Sequence, residues 1–206
     1  IATPLYQFLI QPLVSAAEGA RGIDAETMRV DLIFTSPLEF FFVKLKLALF
    51  GGVIVAFPVI AWHVYRFIAP GLYKQERAAF IPFVLAAPIL FVMGASFVFF
   101  VMLPYVMNFA FSQEIVGSGG ADIRMLPSVA AYLSLVMALI LAFGLSFQLP
   151  VVLSLMGKAG MVTASGLAKG RKYAIVGILA FAAFFTPPDV VSQVLLAVPV
   201  LQLYEV

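Results

Sequence analysis

The residues of this chain that are equipped for chemistry are few and scattered. There is no cysteine, which excludes disulfides, thiolate nucleophiles and thiolate metal sites, and a solitary His63 makes a histidine metal cluster implausible. Residues 144–147 (GLSF) loosely resemble a serine-nucleophile motif that His63 would serve as base, as in an intramembrane protease. Residues 94–97 (GASF) repeat this pattern, which is common where membrane helices pack closely. The sequence therefore predicts a protein that is not an enzyme and that holds no metal or cofactor.

One short loop stands out as a binding site. Residues 67–77 (FIAPGLYKQER) combine aromatic side chains with a single acid, Glu76, close to the predicted start of the next helix. The helix dipole favours a carboxylate there, and a carboxylate can accept two parallel hydrogen bonds from a guanidinium, a geometry that lysine cannot match. The alternative is an ordinary first-turn acid that pairs with Lys74 or Arg77. The residues alone leave both interpretations open.

Composition indicates which kind of scaffold must position this loop. Hydrophobic residues make up 64% of the chain and charged residues only 11%, whereas soluble domains are about half apolar. The charges cluster between apolar runs, and a net charge of +2 is too small and too dispersed to indicate a nucleic-acid partner. We therefore predict a multi-spanning protein embedded in a lipid bilayer.

The apolar runs define the predicted membrane helices. Crossing about 30 Å of hydrocarbon takes about 20 apolar residues, and three runs satisfy this, at 38–65, 78–111 and 129–156. The last apolar stretch is interrupted by residues 186–189 (TPPD), which predicts a hairpin with two short arms, 173–186 and 190–204. Residues 1–37 are expected to form an outer loop or cap. The predicted fold class is an all-α, polytopic membrane helix bundle in a single integral membrane domain, residues 1–206.

Lysine and arginine in short loops set the expected orientation. Residues 66–77 and 158–172 are rich in both and should face the cytoplasm, whereas residues 1–37 and 111–128 are richer in acids and should lie outside. A chain that begins outside and ends inside needs a further helix ahead of Ile1 to start in the cytoplasm. Six spans with both termini cytoplasmic are therefore expected of the intact protein.

Two lysines, Lys44 and Lys46, lie near the outer end of the first predicted span. Their apolar stems can extend along the helix so that the ammonium groups reach the lipid headgroups. Glu39 is expected either to neutralise them or to form an interior-facing lock.

Four separated motifs carry a resemblance to a known family. They are the loop 67–77 and the runs 133–138 (LSLVMA), 143–150 (FGLSFQLP) and 186–193 (TPPDVVSQ). In this order, and with the expected six-helix topology, the chain closely resembles TatC, the core receptor of the twin-arginine protein translocase. The resemblance covers nearly the whole chain.

The resemblance implies a receptor in the plasma (cell inner) membrane that binds twin-arginine signal peptides of folded cargo at its cytoplasmic face. Such a receptor associates with further copies of itself, recruits TatA- and TatB-type single-span proteins, and supports export driven by the proton-motive force. The residues that match the family's signal-peptide site are Glu76, Phe67, Pro70, Leu72, Tyr73 and Arg77. The family's acidic tail ahead of its first helix is missing from this chain, so that half of the site cannot be assigned.

The resemblance also implies residues for assembly with partners. They are Gln148, Thr186, Pro187, Pro188, Asp189 and Gln193, and two further matches, Pro12 and Pro58, are structural and functional prolines of the family. Simpler roles remain open: Asp189 caps the last helix, the two adjacent prolines turn the chain, and Gln148 joins helices within the bundle. Many relatives have a glutamate where Gln148 stands, and an amide carries no titrating charge. Not every member of the family therefore needs a carboxylate at that depth in the membrane.

A small-solute secondary transporter is the rival interpretation from a different functional class. Transporters of this kind place ionisable residues at mid-membrane and are built from repeated halves with broken helices. The three long predicted spans have no central charge, and the proline-interrupted hairpin occurs once.

Overall fold

The helical architecture follows from what hydrocarbon allows a backbone to do. A computed structural model of the chain describes residues 2–21, 33, 36–68, 81–114, 128–158, 160–185 and 190–205. In lipid every backbone N–H and C=O needs a partner within the protein, and a helix supplies these partners from its own turns. The described ranges contain helices and one isolated bridge between Ile33 and Ser128, without any strand. The predicted all-α membrane fold is confirmed for these residues.

The helices are numbered in chain order. They are α1 Ala2–Arg21, α2 Glu39–Ile68, α3 Ile81–Phe97, α4 Leu103–Ser112, α5 Val129–Ser146, α6 Leu149–Lys158, α7 Ala164–Phe185 and α8 Val190–Glu205, with a π-helical turn, Val98–Met102, between α3 and α4. Within the described residues, three stretches are long and apolar enough to cross a membrane, namely Glu39–Val64, Leu85–Ser112 and Val129–Lys158. They lie on the three long predicted spans, whereas the number of spans in the intact protein stays a prediction.

Two helices extend beyond what the apolar runs indicated. α1 occupies part of the segment expected to form an outer loop or cap, and it buries Leu9, Leu13 and Ala17, which recur every fourth residue. α7 begins at Ala164 and not at Tyr173, because alanine, leucine, lysine and arginine are good helix formers even in a polar stretch. The length of the apolar runs reveals neither α1 nor the early start of α7.

Prolines explain the irregularities in two of the long spans. Pro104 has no N–H to continue an α-helical ladder, and immediately before it the Leu103 N–H bonds the carbonyl of Val98, five residues back. Pro150 has the corresponding effect on the third span, where α5 ends at Ser146 and α6 begins at Leu149.

The described helices fall into two compact units. Unit 1 comprises residues 1–52 and 97–138, and unit 2 comprises residues 53–96 and 139–206. In unit 1, α1 packs along α4 and the π-helical turn, and the Phe8 ring stacks on the Phe99 ring with 4.3 Å between centroids. In unit 2, α7 and α8 form an antiparallel hairpin.

A buried carboxylate lies at the start of α5 in unit 1. Glu39 is 8% exposed, and its Oε1 accepts hydrogen bonds from the Ser128 hydroxyl at 2.8 Å and from the Ala130 N–H at 3.2 Å. Its Oε2 accepts the Ser36 N–H at 3.2 Å. The first N–H groups of a helix have no partner in their own helix, and the dipole favours a negative charge beside them. Glu39 therefore ties the start of α2 to the start of α5.

The neighbouring N–H groups of α5 also have partners. The Val129 N–H donates to the carbonyl of Ile33 at 3.3 Å, and the Ala131 N–H donates to the Ser128 hydroxyl oxygen at 3.5 Å. Ser128 is thus the N-cap of α5. The sequence indicates the nearby lysines as partners of Glu39 and does not reveal this network. The Lys44 ammonium lies 4.1 Å from the centroid of the Phe40 ring.

The hydroxyl of Tyr132 connects α5 to α1. Tyr132 is 4% exposed, and its Oη donates to the carbonyl of Leu9 at 2.8 Å. A buried hydroxyl needs such a partner, because an unpaired one costs free energy on leaving water. Together with Glu39, this bond fixes the start of α5 to two other helices of unit 1.

Two glycines allow α3 and α5 to approach closely in unit 2. A Cβ atom on Gly94 would lie 2.8 Å from the carbonyl oxygen of Phe143, and one on Gly144 would lie 2.5 Å from the Phe91 ring. Phe91 is 2% exposed and stacks on Phe57 with 4.1 Å between ring centroids, so little space is left for it to move. Small residues are the usual means of close backbone approach between membrane helices.

Gly94→Ala is expected to lower the stability of the protein by about 1–3 kcal/mol, because the added methyl group meets a backbone oxygen that cannot rotate away. Gly177→Ala is the matched control, since a Cβ on Gly177 meets nothing within 4 Å. Thermal unfolding in detergent should show a clear fall in the melting temperature for the first variant and none for the second. Equal melting temperatures would contradict the close approach.

Glu39→Leu is expected to lower stability more than Glu39→Gln does. Leucine leaves the Ser128 hydroxyl and the Ala130 N–H without their acceptor, at about 1–3 kcal/mol for each buried group, whereas glutamine keeps one acceptor oxygen. The comparison is made by thermal unfolding, together with hydrogen exchange of the amides at the start of α5. Unchanged exchange in the leucine variant would show that Glu39 does not hold this helix end.

Candidate functional site

The predicted signal-peptide residues lie at and beyond the end of α2. Phe67 belongs to the last turn of this helix. The other members of the set lie outside the described residues: Pro70, Leu72, Tyr73, Glu76 and Arg77. Their role in binding stays a prediction.

The last turns of α2 lead directly into this loop. Arg66 is exposed in the last turn, where a positive charge complements the negative end of the helix dipole. Val55, Val59 and Trp62 are 79%, 57% and 50% exposed, and their spacing places them along one face of α2. Pro58 lies inside α2 and is exposed. The end of α2 therefore presents an apolar stripe that runs toward a basic turn.

Gln148 lies in the turn between α5 and α6 and is half-buried. Its Nε2 donates to the carbonyl of Ala87 in α3 at 2.9 Å and to the carbonyl of Gly144 at 3.4 Å. Its amide oxygen has no partner in the described part of the chain. Gln148 therefore joins α3 to α5. Its amide oxygen can still accept a hydrogen bond, so docking of a partner helix at Gln148 stays a prediction.

Gln193 joins the two arms of the hairpin. Its Nε2 donates to the carbonyl of Leu179 at 3.1 Å, which links α8 to α7. The other predicted assembly residues of the hairpin lie outside the described residues: Thr186, Pro187, Pro188 and Asp189. Gln148 and Gln193 thus both lie in unit 2. Gln148 joins α3 to α5, and Gln193 joins α8 to α7.

Pro12 is buried inside α1, between the buried side chains of Leu9 and Ala16. It belongs to the face of α1 that packs in unit 1, which gives it at least a packing role. On the same helix, burial raises the pKa of the Tyr6 hydroxyl above its ordinary value.

The residues of the protease interpretation bond to their own helices. The Ser146 hydroxyl is buried and donates to the carbonyl of Ala142 at 2.7 Å. The Nδ1 of His63 lies 2.8 Å from the carbonyl oxygen of Val59. A nucleophile and its base need a hydrogen bond to each other, so this geometry gives the protease interpretation no support. Among the described residues, no group of three or more metal-ligating side chains is close enough together to hold an ion.

Sequence reasoning missed the contacts that fix the end of α8 to the start of α7. The Tyr204 hydroxyl donates to the carbonyl of Leu167 at 2.9 Å, and the guanidinium of Arg171 pairs with the carboxylate of Glu205. Both side chains of the ion pair are substantially exposed, so solvent screening keeps its contribution to stability small. The opposite charges were visible in the sequence, but their pairing depends on the antiparallel register of the hairpin.

Comparison with known proteins identifies the family. Residues 1–199 match the family model of the Sec-independent protein translocase protein (TatC). A TatC protein of Magnetococcus marinus is 43% identical over 175 residues, covering 85% of this chain and 63% of that relative. One of Desulforapulum autotrophicum is 38% identical, covering 98% of this chain and 70% of that relative. The chain thus spans under two thirds of the length of the first of these relatives.

A solved structure agrees with the sequence matches. A crystal structure described as that of the twin arginine translocase receptor TatC superposes with a TM-score of 0.81 at 38% identity, covering 99% of this chain and 84% of that one. Sequence and fold thus agree over nearly the whole length of the chain. On both grounds, the chain belongs to the TatC family of Sec-independent protein translocase proteins.

Proposed function

We propose that this chain is the receptor of a twin-arginine protein translocase in the plasma (cell inner) membrane, with both termini of the intact protein in the cytoplasm. It binds twin-arginine signal peptides at its cytoplasmic face and recruits TatA- and TatB-type proteins, and the assembly moves folded cargo at the expense of the proton-motive force. The observation that carries the proposal is the similarity, over 99% of the chain, to a structure described as a twin arginine translocase receptor.

The recognition step rests on the segment that joins α2 to α3. Glu76 is its only acid, and it follows an exposed, basic helix end at Arg66. A carboxylate binds a guanidinium through two parallel, charge-assisted hydrogen bonds, whereas an ammonium offers a single point charge. Glu76 therefore distinguishes a twin-arginine peptide from a twin-lysine peptide. Phe67, Pro70, Leu72, Tyr73 and Arg77 shape the surrounding surface.

The apolar part of a signal peptide needs an apolar surface close to this loop. The stripe of Val55, Val59 and Trp62 on α2 is exposed and runs toward the loop. Each methylene group of the peptide that leaves water contributes roughly 0.8 kcal/mol. The stripe accounts for affinity, and Glu76 accounts for specificity.

Recruitment of partner helices rests on polar groups within the membrane. The amide oxygen of Gln148 can accept a hydrogen bond from a partner helix while its Nε2 holds Ala87. Asp189 and the TPPD turn, with Gln193 on α8, supply the second predicted contact region. Because Gln148 carries no charge, docking at this point does not depend on protonation of the receptor at this residue.

A photocrosslinking residue at position 73, which leaves Glu76 in place, is expected to label a twin-arginine signal peptide and not its twin-lysine counterpart in the intact protein in membranes. The reason is that only the guanidinium pair holds the peptide against the loop. The same residue at position 161 is the control, since Met161 is 72% exposed and lies in another predicted cytoplasmic segment. Equal labelling of both peptides by a folded protein would overturn the receptor role of this loop and favour the transporter interpretation.

Gln148→Leu is expected to reduce recovery of a single-span partner roughly three- to fifteen-fold, which corresponds to the loss of one interhelical hydrogen bond. Ser146→Ala is the matched control, because its hydroxyl bonds only the carbonyl of its own helix. Copurification from membranes measures both variants, with melting temperatures to show that they are folded. Full recovery with the leucine variant would restrict Gln148 to joining α3 and α5.

A further inference from the structure

One exposed face of α7 changes character along its length. Lys169 and Lys172 are exposed in its early turns, followed by Tyr173, Val176 and Phe184, which are 73%, 66% and 83% exposed. The spacing of these residues places all of them on one side of the helix. This face, called the α7 stripe, therefore runs from two cations through an aromatic hydroxyl to apolar side chains.

The order of groups along the α7 stripe matches the depth profile of a lipid leaflet. Lysine ammonium groups extend to the headgroups, tyrosine is enriched at the interface, and apolar side chains lie among the acyl chains. From Lys172 to Phe184 the helix rises about 18 Å, which is close to the thickness of the hydrocarbon in one leaflet. The stripe is long enough for one phospholipid molecule to lie along it.

No described acid pairs with the two lysines of the α7 stripe, so both can bind an anion. Arg171, between them in sequence, pairs with Glu205 of α8. Among the described residues neither Lys169 nor Lys172 has a carboxylate partner, and the Lys172 ammonium lies 5.1 Å from the centroid of the Tyr173 ring. Two positive charges and a phenol hydroxyl therefore meet at the polar end of the stripe without a neutralising acid in the described part of the chain.

The backbone beneath these lysines is held in place. α6 ends at Lys158, and beyond it Gly160, which has a φ of 69°, donates its N–H to the carbonyl of Gly157 at 3.0 Å. Thr163 caps α7, accepting the Gly166 N–H at 3.2 Å. The Tyr204 hydroxyl holds the next residue, Leu167, from α8. The site is therefore organised before any ligand binds.

We propose that Lys169, Lys172 and Tyr173 bind the phosphate of an anionic phospholipid headgroup, while its acyl chains lie along Val176 and Phe184. The two ammonium groups pair with the negative phosphate, and the tyrosine hydroxyl donates to one of its oxygens. The apolar continuation of the stripe commits the site to a lipid and not to free phosphate. The proposal is independent of signal-peptide recognition, because it uses none of the same residues.

The test is native mass spectrometry of the full chain in detergent, titrated with phosphatidylglycerol or with phosphatidylcholine that has the same acyl chains. The wild-type protein should bind phosphatidylglycerol in preference. The double variant Lys169→Gln, Lys172→Gln should bind it roughly thirty-fold more weakly, given the usual contribution of each lysine near an anionic surface. Equal binding of the two lipids by the wild-type protein would overturn the proposal.

Further variants separate the site from general charge and from misfolding. Lys44→Gln with Lys46→Gln removes two cations from α2 and should leave phosphatidylglycerol binding unchanged. An equal loss in both double variants would overturn the site. Lys169→Arg with Lys172→Arg should retain binding, and Tyr173→Phe should weaken it a few-fold with an unchanged melting temperature. Displacement of the lipid by excess inorganic phosphate would assign the site to free phosphate and contradict the proposal.

Discussion

Hydrocarbon offers no hydrogen-bond partner to a peptide group, and three departures from regular helix in the described part of the chain are accompanied by substitute partners. At the start of α5, the carboxylate of Glu39 and the hydroxyl of Ser128 accept backbone N–H groups. Ahead of Pro104 the ladder widens to a π-helical turn, and in the break between α5 and α6, just before Pro150, the side-chain amide of Gln148 bonds two carbonyls. The polar side chains at these helix ends therefore connect one helix to another. Because their polar atoms are used in this way, few remain free to bind a partner or a ligand.

This constraint connects the fold to the proposed receptor. In the proposed receptor, α2 and α3 lie on either side of the recognition loop along the chain. Gly94 and Gly144 bring α3 against α5, and Gln148 bonds α3 from the end of α5, so the helix that follows the loop is held within unit 2. In the proposed receptor, a flanking helix that is already held in place lowers the conformational entropy lost when a signal peptide binds.

The sequence was sufficient for the long spans, because the length of an apolar run directly reports the thickness that it can cross. It was insufficient for α1, whose apolar residues are spaced at helical intervals, and for the polar early turns of α7. The partners of Glu39 could not be predicted, since Ser128 lies 89 residues away in the chain. Gln148 was predicted to join helices or to dock a partner, but only the packing of α3 on α5 reveals Ala87 as its acceptor. The assignment of Glu76 to arginine recognition rests on family resemblance, since the residues alone favour an ordinary first-turn helix acid.

The most direct test of the central claim is a double-mutant cycle in equilibrium binding. It combines the wild-type protein and Glu76→Gln with a twin-arginine signal peptide and its twin-lysine counterpart. A charge-assisted bond between Glu76 and the guanidinium pair predicts a coupling free energy of about 1.5–3 kcal/mol, so that the variant loses most of its preference for arginine. Additive effects, with the variant weakening both peptides equally, would show that Glu76 does not read the arginine pair and would contradict the account.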